Sequence, residues 1–223
     1  MFPESTLRRI RPNCWLPLLI LLPVSHLGFA AGKLAVDVAA IDRERILAAA
    51  ASALKVEPIT ITKFRAKLSE GGAHDFYSNG DYWWPNPNTT NGLPYVQRDG
   101  QTNPENFVAH RKCISELRNG VAALAAAYKI SGDDRYVIKA AELLRVFFLD
   151  PATRMNPSLK YAQAIPGVTP GRGIGIIDTL HLIEVPKAIR TLDIYIGAIP
   201  FVLIQLAMVA LILFEGRYLD CGG

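Results

Sequence analysis

The sequence predicts an all-α fold, built from helical hairpins and interrupted by two long loops that carry function. Three observations support this. Apolar residues recur at helical spacing from Phe107 to Tyr128 and again from Tyr136 to Phe147. Between these runs, Ser131-Gly132 supplies a stop and Asp133-Asp134 a start, the signature of an αα-hairpin. Two further stretches, from Gly71 to about Thr102 and from Pro151 to Gly175, are too rich in Gly, Pro and Asn for helix yet keep large aromatics. Loops of that length are functional or disordered, and aromatic content argues against disorder.

Taken in order, residues 1–30 form a secretory signal peptide. Arg8, Arg9 and Arg11 precede the apolar run Trp15 to Val24, and Gly28-Phe29-Ala30-Ala31 offers small residues for cleavage. The run is well short of the roughly 20 residues a membrane span requires. Residues 31–63 are an N-terminal helical segment, with a helix over Asp37 to Leu54 that carries Ile41, Ile46, Leu47 and Leu54. Pro58 and the β-branched run Ile59 to Thr62 close it, and Gly71-Gly72 opens the first loop.

Asn103-Pro104-Glu105-Asn106 predicts the next helix start, with Asn as cap and Pro in the first turn. The helix bears Phe107, Ile114, Leu117, Val121, Leu124 and Tyr128, and its partner bears Tyr136, Val137, Ala140, Leu143, Leu144 and Phe147 and ends at Asp150-Pro151. A last helix is expected over Ile176 to Leu192, kinked at Pro186, because an internal proline costs about 3 kcal/mol. Residues 190–223 form an atypical apolar tail. Within it, Ile194 to Phe214 has no charged residue and is long enough to span a bilayer. Two readings stand for it: a transmembrane anchor, or a departure in reading frame or gene model.

Composition excludes several classes. Loss of residues 1–30 removes three Arg and one Glu and takes the formal charge from +4 to +2. With no Lys/Arg block there is no footprint for nucleic acid. Cys14 leaves with the signal, Cys113 and Cys221 sit in unlike surroundings, and no disulfide framework is indicated. Cys113 lies mid-helix as a small core residue. His74, His110 and His181 lack metal-ligand spacing, and Gly171-x-Gly173-x-Gly175 lacks the strand and third glycine of a dinucleotide loop. No metal and no cofactor are expected, and oligomeric state is not indicated.

The most informative stretch is His74-Asp75-Phe76-Tyr77-Ser78-Asn79-Gly80-Asp81-Tyr82-Trp83-Trp84-Pro85-Asn86-Pro87-Asn88. It sets Tyr77, Tyr82, Trp83 and Trp84 among loop formers. Such rings either form a wall on which a sugar stacks or plug the core beneath the loop.

This stretch, together with Arg98-Asp99-Gly100, Asn103-Pro104, Phe107 to Arg111, Asp150-Pro151-Ala152-Thr153-Arg154-Met155-Asn156-Pro157, Tyr161-Ala162-Gln163-Ala164 and Gly171-Arg172-Gly173-Ile174-Gly175-Ile176-Ile177-Asp178-Thr179, resembles the alginate lyase domain family. The resemblance covers roughly Phe64 to Ile189. It implies an incomplete (α/α) toroid of helical hairpins and metal-independent β-elimination on an acidic uronate polysaccharide such as alginate, often in the periplasm. It also implies a later Asn-Asn-His-Gly-type segment, an Arg and a Tyr for catalysis, which this sequence lacks. The expectation is an exported, truncated lyase-like chain, periplasmic and tethered if the tail is an anchor, with its catalytic competence open.

For individual residues, His74 and Tyr77 are the catalytic candidates, His74 as an ionisable group and Tyr77 on a lid. Asp81, Tyr82, Trp83, Trp84, Arg98, Tyr161, Gln163 and Arg172 are the substrate-binding candidates: rings to stack, Arg forks for carboxylates, and polar groups in a Gly/Pro-rich loop where backbone can approach a ligand. Each has a plainer reading, as a packed ring, an Asx turn at Asp81, or a backbone-holding loop His. Arg111 and His110 are expected to serve structure, Arg111 on a solvated or salt-bridged face and His110 in packing. Asp178 and His181 stand close to one helical turn apart, and two readings are open: a shared cleft-facing side, or a plain intrahelical pair. Two other functions compete: a glycoside hydrolase on a similar toroid using Asp81 and Asp178, and a non-catalytic, membrane-tethered uronate-binding protein.

Overall fold

The computed structural model describes residues 37–192. The expected signal peptide at 1–30 and, from residue 193 onward, the expected apolar tail with its candidate span at 194–214 lie outside the described residues. Among the described residues no helix is long and apolar enough to cross a membrane.

Among the described residues, four α-helices carry the fold. Helix α1 (Val38–Ala53) is capped by Asp37, whose carboxylate accepts from the Ala40 N–H at 3.1 Å. It turns Ala50 and Ala53 to the core, with Ile46, Leu47 and Leu54 packing beside them, while Ile41 is exposed. Helix α2 (Ala109–Ser131) is central: α1, α3 and α4 all pack on it. Its inward stripe is Cys113, Ile114, Leu117, Val121 and Leu124, at the spacing that keeps one face buried. Burial pushes the Cys113 thiol up to about 11 and makes it an inert core residue.

Gly132 ends α2 in the left-handed conformation (φ 69°), and its N–H returns to the Tyr128 carbonyl at 2.8 Å. Asp133 then caps α3 (Asp134–Phe148), accepting from the Arg135 N–H at 3.0 Å. The expected αα-hairpin is therefore present, stop and start included.

Two expected helix boundaries differ. Asn103-Pro104 does not begin α2, which starts at Ala109, six residues on. The Asn103 side chain instead accepts from the Glu105 N–H and donates to the Trp83 carbonyl at 3.0 Å. Its capping chemistry goes to a turn beside the aromatic loop. Likewise Ile176 to Leu192 is not one kinked helix. A 3-10 helix runs over Gly173–Ile183 and α4 over Glu184–Leu192. Pro186 falls inside the first turn of α4, where no N–H is required of it, so it marks a start.

Four short strands lie in the two loops. β1 (Tyr77–Asn79) pairs parallel with β4 (Tyr161–Ala164), and β2 (Trp83–Trp84) pairs antiparallel with β3 (Val96–Gln97). The first pairing brings the two loops together. Its register runs Tyr77 to Tyr161 and Asn79 to Ala164, so β4 holds one extra residue. The irregularity contains Gln163, at φ 54°.

Candidate functional site

β1 alternates, and its side chains part accordingly. Ser78 faces Asp178 on the 3-10 helix and donates to its carboxylate. Tyr77 and Asn79 turn the other way, and Asn79 donates to the Tyr77 hydroxyl at 3.0 Å and accepts from the Phe107 N–H at 3.0 Å. Beyond Asn79 the chain turns at Gly80-Asp81, and this turn is clamped from three sides. Asn106 donates to both its carbonyls at 3.3 and 3.2 Å, the Asn103 N–H donates to Asp81 O at 2.8 Å, and Gly80 N–H donates to Ala164 O at 2.9 Å.

Two guanidinium groups flank this turn. Arg111, on the first turn of α2, donates to the Asn79 carbonyl at 3.3 Å and to the Asp81 carboxylate at 2.7 Å, with Asp178 at 3.7 Å from its other terminal nitrogen. Its Nε is buried with no hydrogen-bond partner among the described residues. Arg172 donates from Nε to the Gln163 carbonyl at 2.8 Å and from a terminal nitrogen to the Gln163 side-chain oxygen at 3.1 Å. Burial pulls the Arg172 pKa below its ordinary value, against the pull of Asp178 and Asp81.

Gly80 has no side chain, and that makes room for the group. A Cβ there would stand 2.6 Å from Trp83 Cδ1 and 2.7 Å from an Arg172 nitrogen. The Trp83 indole and the Arg172 guanidinium thus both lie against Gly80. Arg111 closes the other side through Asp81. Two guanidiniums and two carboxylates balance in charge. Asp178 is buried, its side chain 3% exposed, whereas the Asp81 side chain is 41% exposed.

The sequence candidates separate around this cluster. Asp81, Trp83, Gln163 and Arg172 are brought together. Trp84 is not, because adjacent strand residues point to opposite faces. Its indole donates to Gln101 O at 2.8 Å, and the Arg98 guanidinium lies 4.7 Å over its ring. Arg98 is therefore engaged with Trp84 and not with the Arg111–Arg172 pair. Tyr82, 42% exposed, lies in the turn between Asp81 and β2. Tyr161 opens β4 with its ring against Gly71 and the Lys160 ammonium at 5.3 Å.

The two catalytic candidates stand elsewhere. Tyr77 is 2% exposed, and burial pushes its phenol up to about 12. It is a fixed strand residue and no lid. The His74 ring nitrogen Nδ1 donates to Arg154 O at 2.6 Å and its carbonyl accepts from Asn156 N–H at 2.8 Å, so His74 staples the two loops. His110 packs as expected. It accepts from the Tyr77 N–H at Nδ1 and bonds Phe64 O through Nε2, which fixes the neutral tautomer, and burial lowers its pKa. Asp178 and His181, three apart in the 3-10 helix, differ in exposure, Asp178 being buried. His181 is exposed, 3.5 Å from Arg118.

Sequence reasoning missed Gly80, Ser78 and Asn79 as parts of the site, and it set Arg111 aside as salt-bridged, which it is. The alternation of Tyr77-Ser78-Asn79 is the signal that would have found the strand. A cavity of about 370 Å³ adjoins Tyr77 and Ala164, roofed by Pro166 to Pro170. Glu70 is its only charged lining residue, so it does not suit a polyanion. No group of His, Cys, Asp and Glu that could hold a metal ion occurs among the described residues.

A family model described as alginate lyase matches residues 60–196. The chain is also similar to an alginate lyase from Bacteroides ovatus with a crystal structure at 1.60 Å resolution. Identity is 35% and the TM-score 0.70, covering 79% of this chain and 48% of that one, so this chain spans about half its length. No curated protein matches the sequence. The matched region contains both loops and the arginine cluster. The chain belongs to the alginate lyase family.

Proposed function

We propose that this chain binds an acidic uronate polysaccharide such as alginate, as the polyanion-gripping part of an exported polysaccharide lyase. The observation that carries this is the placement of Arg111 and Arg172 on either side of Gly80, with the Trp83 indole against the same glycine. A uronate unit offers one carboxylate and one pyranose ring. Guanidinium forks suit the first and an indole face the second. The exposed Asp81 keeps Arg111 paired until a substrate carboxylate takes its place.

Arginines suit elimination for a definite reason. A base takes the proton at C5, the C5–C4 double bond forms as the C4–O bond breaks, and the leaving oxygen takes a proton. Negative charge builds on the carboxylate in the transition state, and donors aimed there stabilise it. The ionisable candidates are not placed for base or acid at the cluster: Tyr77 and His110 are sealed, and His74 is bound to the Arg154 carbonyl. We therefore assign binding to residues 60–192 and proton transfer to groups beyond them. The family's (α/α) toroid is the architecture proposed for the full cleft. The basic and apolar leader supports export to the periplasm, with membrane contact left to the tail.

A hydrolase using Asp81 and Asp178 is disfavoured, since Asp178 is buried and committed to Ser78 and Gln163. The test is calorimetric titration of the full chain with a mannuronate trisaccharide, alongside absorbance of the unsaturated uronate product. Binding without new absorbance is expected. No binding at low salt overturns the proposal, and new absorbance moves proton transfer back into this chain.

A further inference from the structure

We infer that Asp178 is a positioning residue that aims the Arg172 guanidinium, acting through the side-chain amide of Gln163. The inference rests on the uronate-binding reading for its consequence, though not for its geometry.

Every polar contact to the Asp178 carboxylate comes from a donor: the Ser78 hydroxyl on Oδ2, Gln163 Nε2 at 3.2 Å from each oxygen, and Arg111 at 3.7 Å from Oδ1. A carboxylate only accepts, so it dictates which end of the Gln163 amide faces it. The NH2 end turns to Asp178, and the oxygen end is left pointing at Arg172, which only donates. The 3.1 Å contact from Arg172 to that oxygen follows. Acceptor, donor, acceptor, donor alternate along Asp178, Gln163 and Arg172, and the order cannot be reversed at either end.

The backbone enforces the same arrangement. Gln163 is a non-glycine residue at φ 54°, a conformation that costs free energy and persists when its surroundings hold it. Its N–H, displaced from the β1–β4 ladder, donates to the Ser78 hydroxyl at 2.7 Å, and that hydroxyl donates onward to Asp178. Its carbonyl takes the Arg172 Nε at 2.8 Å. Asp178 therefore holds Gln163 at the side chain directly and at the main chain through Ser78. Arg172 is gripped at two points by a residue that Asp178 has oriented. Asp178 itself, with its side chain 3% exposed, does not touch a ligand in the cleft.

The alternation yields a test that simple packing does not predict. In Asp178→Asn an amide NH2 faces a donor whichever way it sits. In Gln163→Glu two carboxylates meet. The double variant Gln163→Glu/Asp178→Asn restores the alternation with the same total charge: the new amide at position 178 donates to the new carboxylate at position 163, which accepts from Arg172. Two readouts apply to the full chain. One is the Arg172 Nε–H signal in a 1H–15N spectrum, assigned by its loss in Arg172→Lys. The other is affinity for a mannuronate trisaccharide.

Each single variant is expected to shift or broaden the Arg172 signal and weaken binding roughly tenfold or more, the scale of a lost hydrogen bond to a charged group. The double variant is expected to bring both back toward native values. Native behaviour in both single variants overturns the inference, as does a double variant no better than its parents, including one that fails to fold. If the native chain binds no uronate, the functional reading falls, and the Arg172 signal alone still decides the relay.

Discussion

Arg172 donates twice to Gln163, to its backbone oxygen at 2.8 Å and to its side-chain oxygen at 3.1 Å. The pair ties the second loop to the strand that meets the first, and it sets one guanidinium against the Gly80 turn. That geometry is a fork held in one orientation, which a flexible ammonium does not reproduce. Arg172→Lys keeps the charge and loses the double contact. It is expected to weaken uronate trisaccharide binding by about 1.5–3 kcal/mol, the range for hydrogen bonds to charged groups. Calorimetry on the two proteins checks this, and an unchanged affinity would show that charge alone matters.

Gly80→Ala probes the same turn from the other side. The added Cβ meets the Trp83 ring at 2.6 Å and the tip of Arg172 at 2.7 Å. Both are side chains able to move, and Gly80 is not at positive φ. A modest loss of stability, within about 1–3 kcal/mol, is expected for such overpacking. Binding should fall much further than stability, because the two displaced groups are those proposed to hold the sugar. Thermal melts and titration, run side by side, separate the two effects.

His110 predicts a pH dependence. Its Nδ1 accepts from Tyr77 N–H, so the folded protein needs the ring neutral, and burial depresses its pKa. The stabilisation is present in full above the unfolded value of about 6.5 and is lost as pH falls through the lower folded value. Denaturant unfolding between about pH 7.5 and 5.5 should show stability declining on the acid side. Glutamine can accept at one end and donate at the other, so His110→Gln should flatten that decline. An equal slope in both proteins would remove His110 as its source.

Gly132→Ala isolates a backbone effect. Gly132 sits at φ 69°, and a Cβ there meets nothing within 4 Å. The expected cost is about 1 kcal/mol, from the left-handed conformation alone. Gly132→Asn should cost less, since Asn tolerates that region better. Equal stability of all three proteins by denaturant titration would contradict the helix stop assigned here.

Much of this fold is written in local pattern. The hairpin of α2 and α3 is legible because Gly132 and Asp133 each do a job set by their own chemistry, and because the stripe from Cys113 to Leu124 repeats at helical spacing. Two boundaries were not legible. Asn103-Pro104 carries a helix-start signature, yet Asn103 serves Trp83 and Glu105 across a turn. Pro186 resembles a helix breaker until the 3-10 segment before it makes it the opening of α4. At Asn103 a contact distant in sequence outweighs local propensity, whereas at Pro186 the adjoining 3-10 segment sets the boundary.

The site divides similarly. Trp83, Gln163 and Arg172 are visible as aromatic and polar groups among glycines and prolines. That Trp83 and Trp84 face opposite ways depends on two-residue strands that no periodicity announces. Tyr77 and His74 look catalytic as residue types. Their roles, a sealed phenol and a loop staple, emerge only from the pairing of β1 with β4 and from the reach of Arg154.

The most direct test of the uronate receptor is calorimetric titration of the full chain with a mannuronate trisaccharide and with mannotriose, at two salt concentrations. The account predicts that the uronate binds, more weakly at high salt, while the neutral sugar of equal length binds far less well. Equal affinity for the two sugars, indifferent to salt, would contradict it.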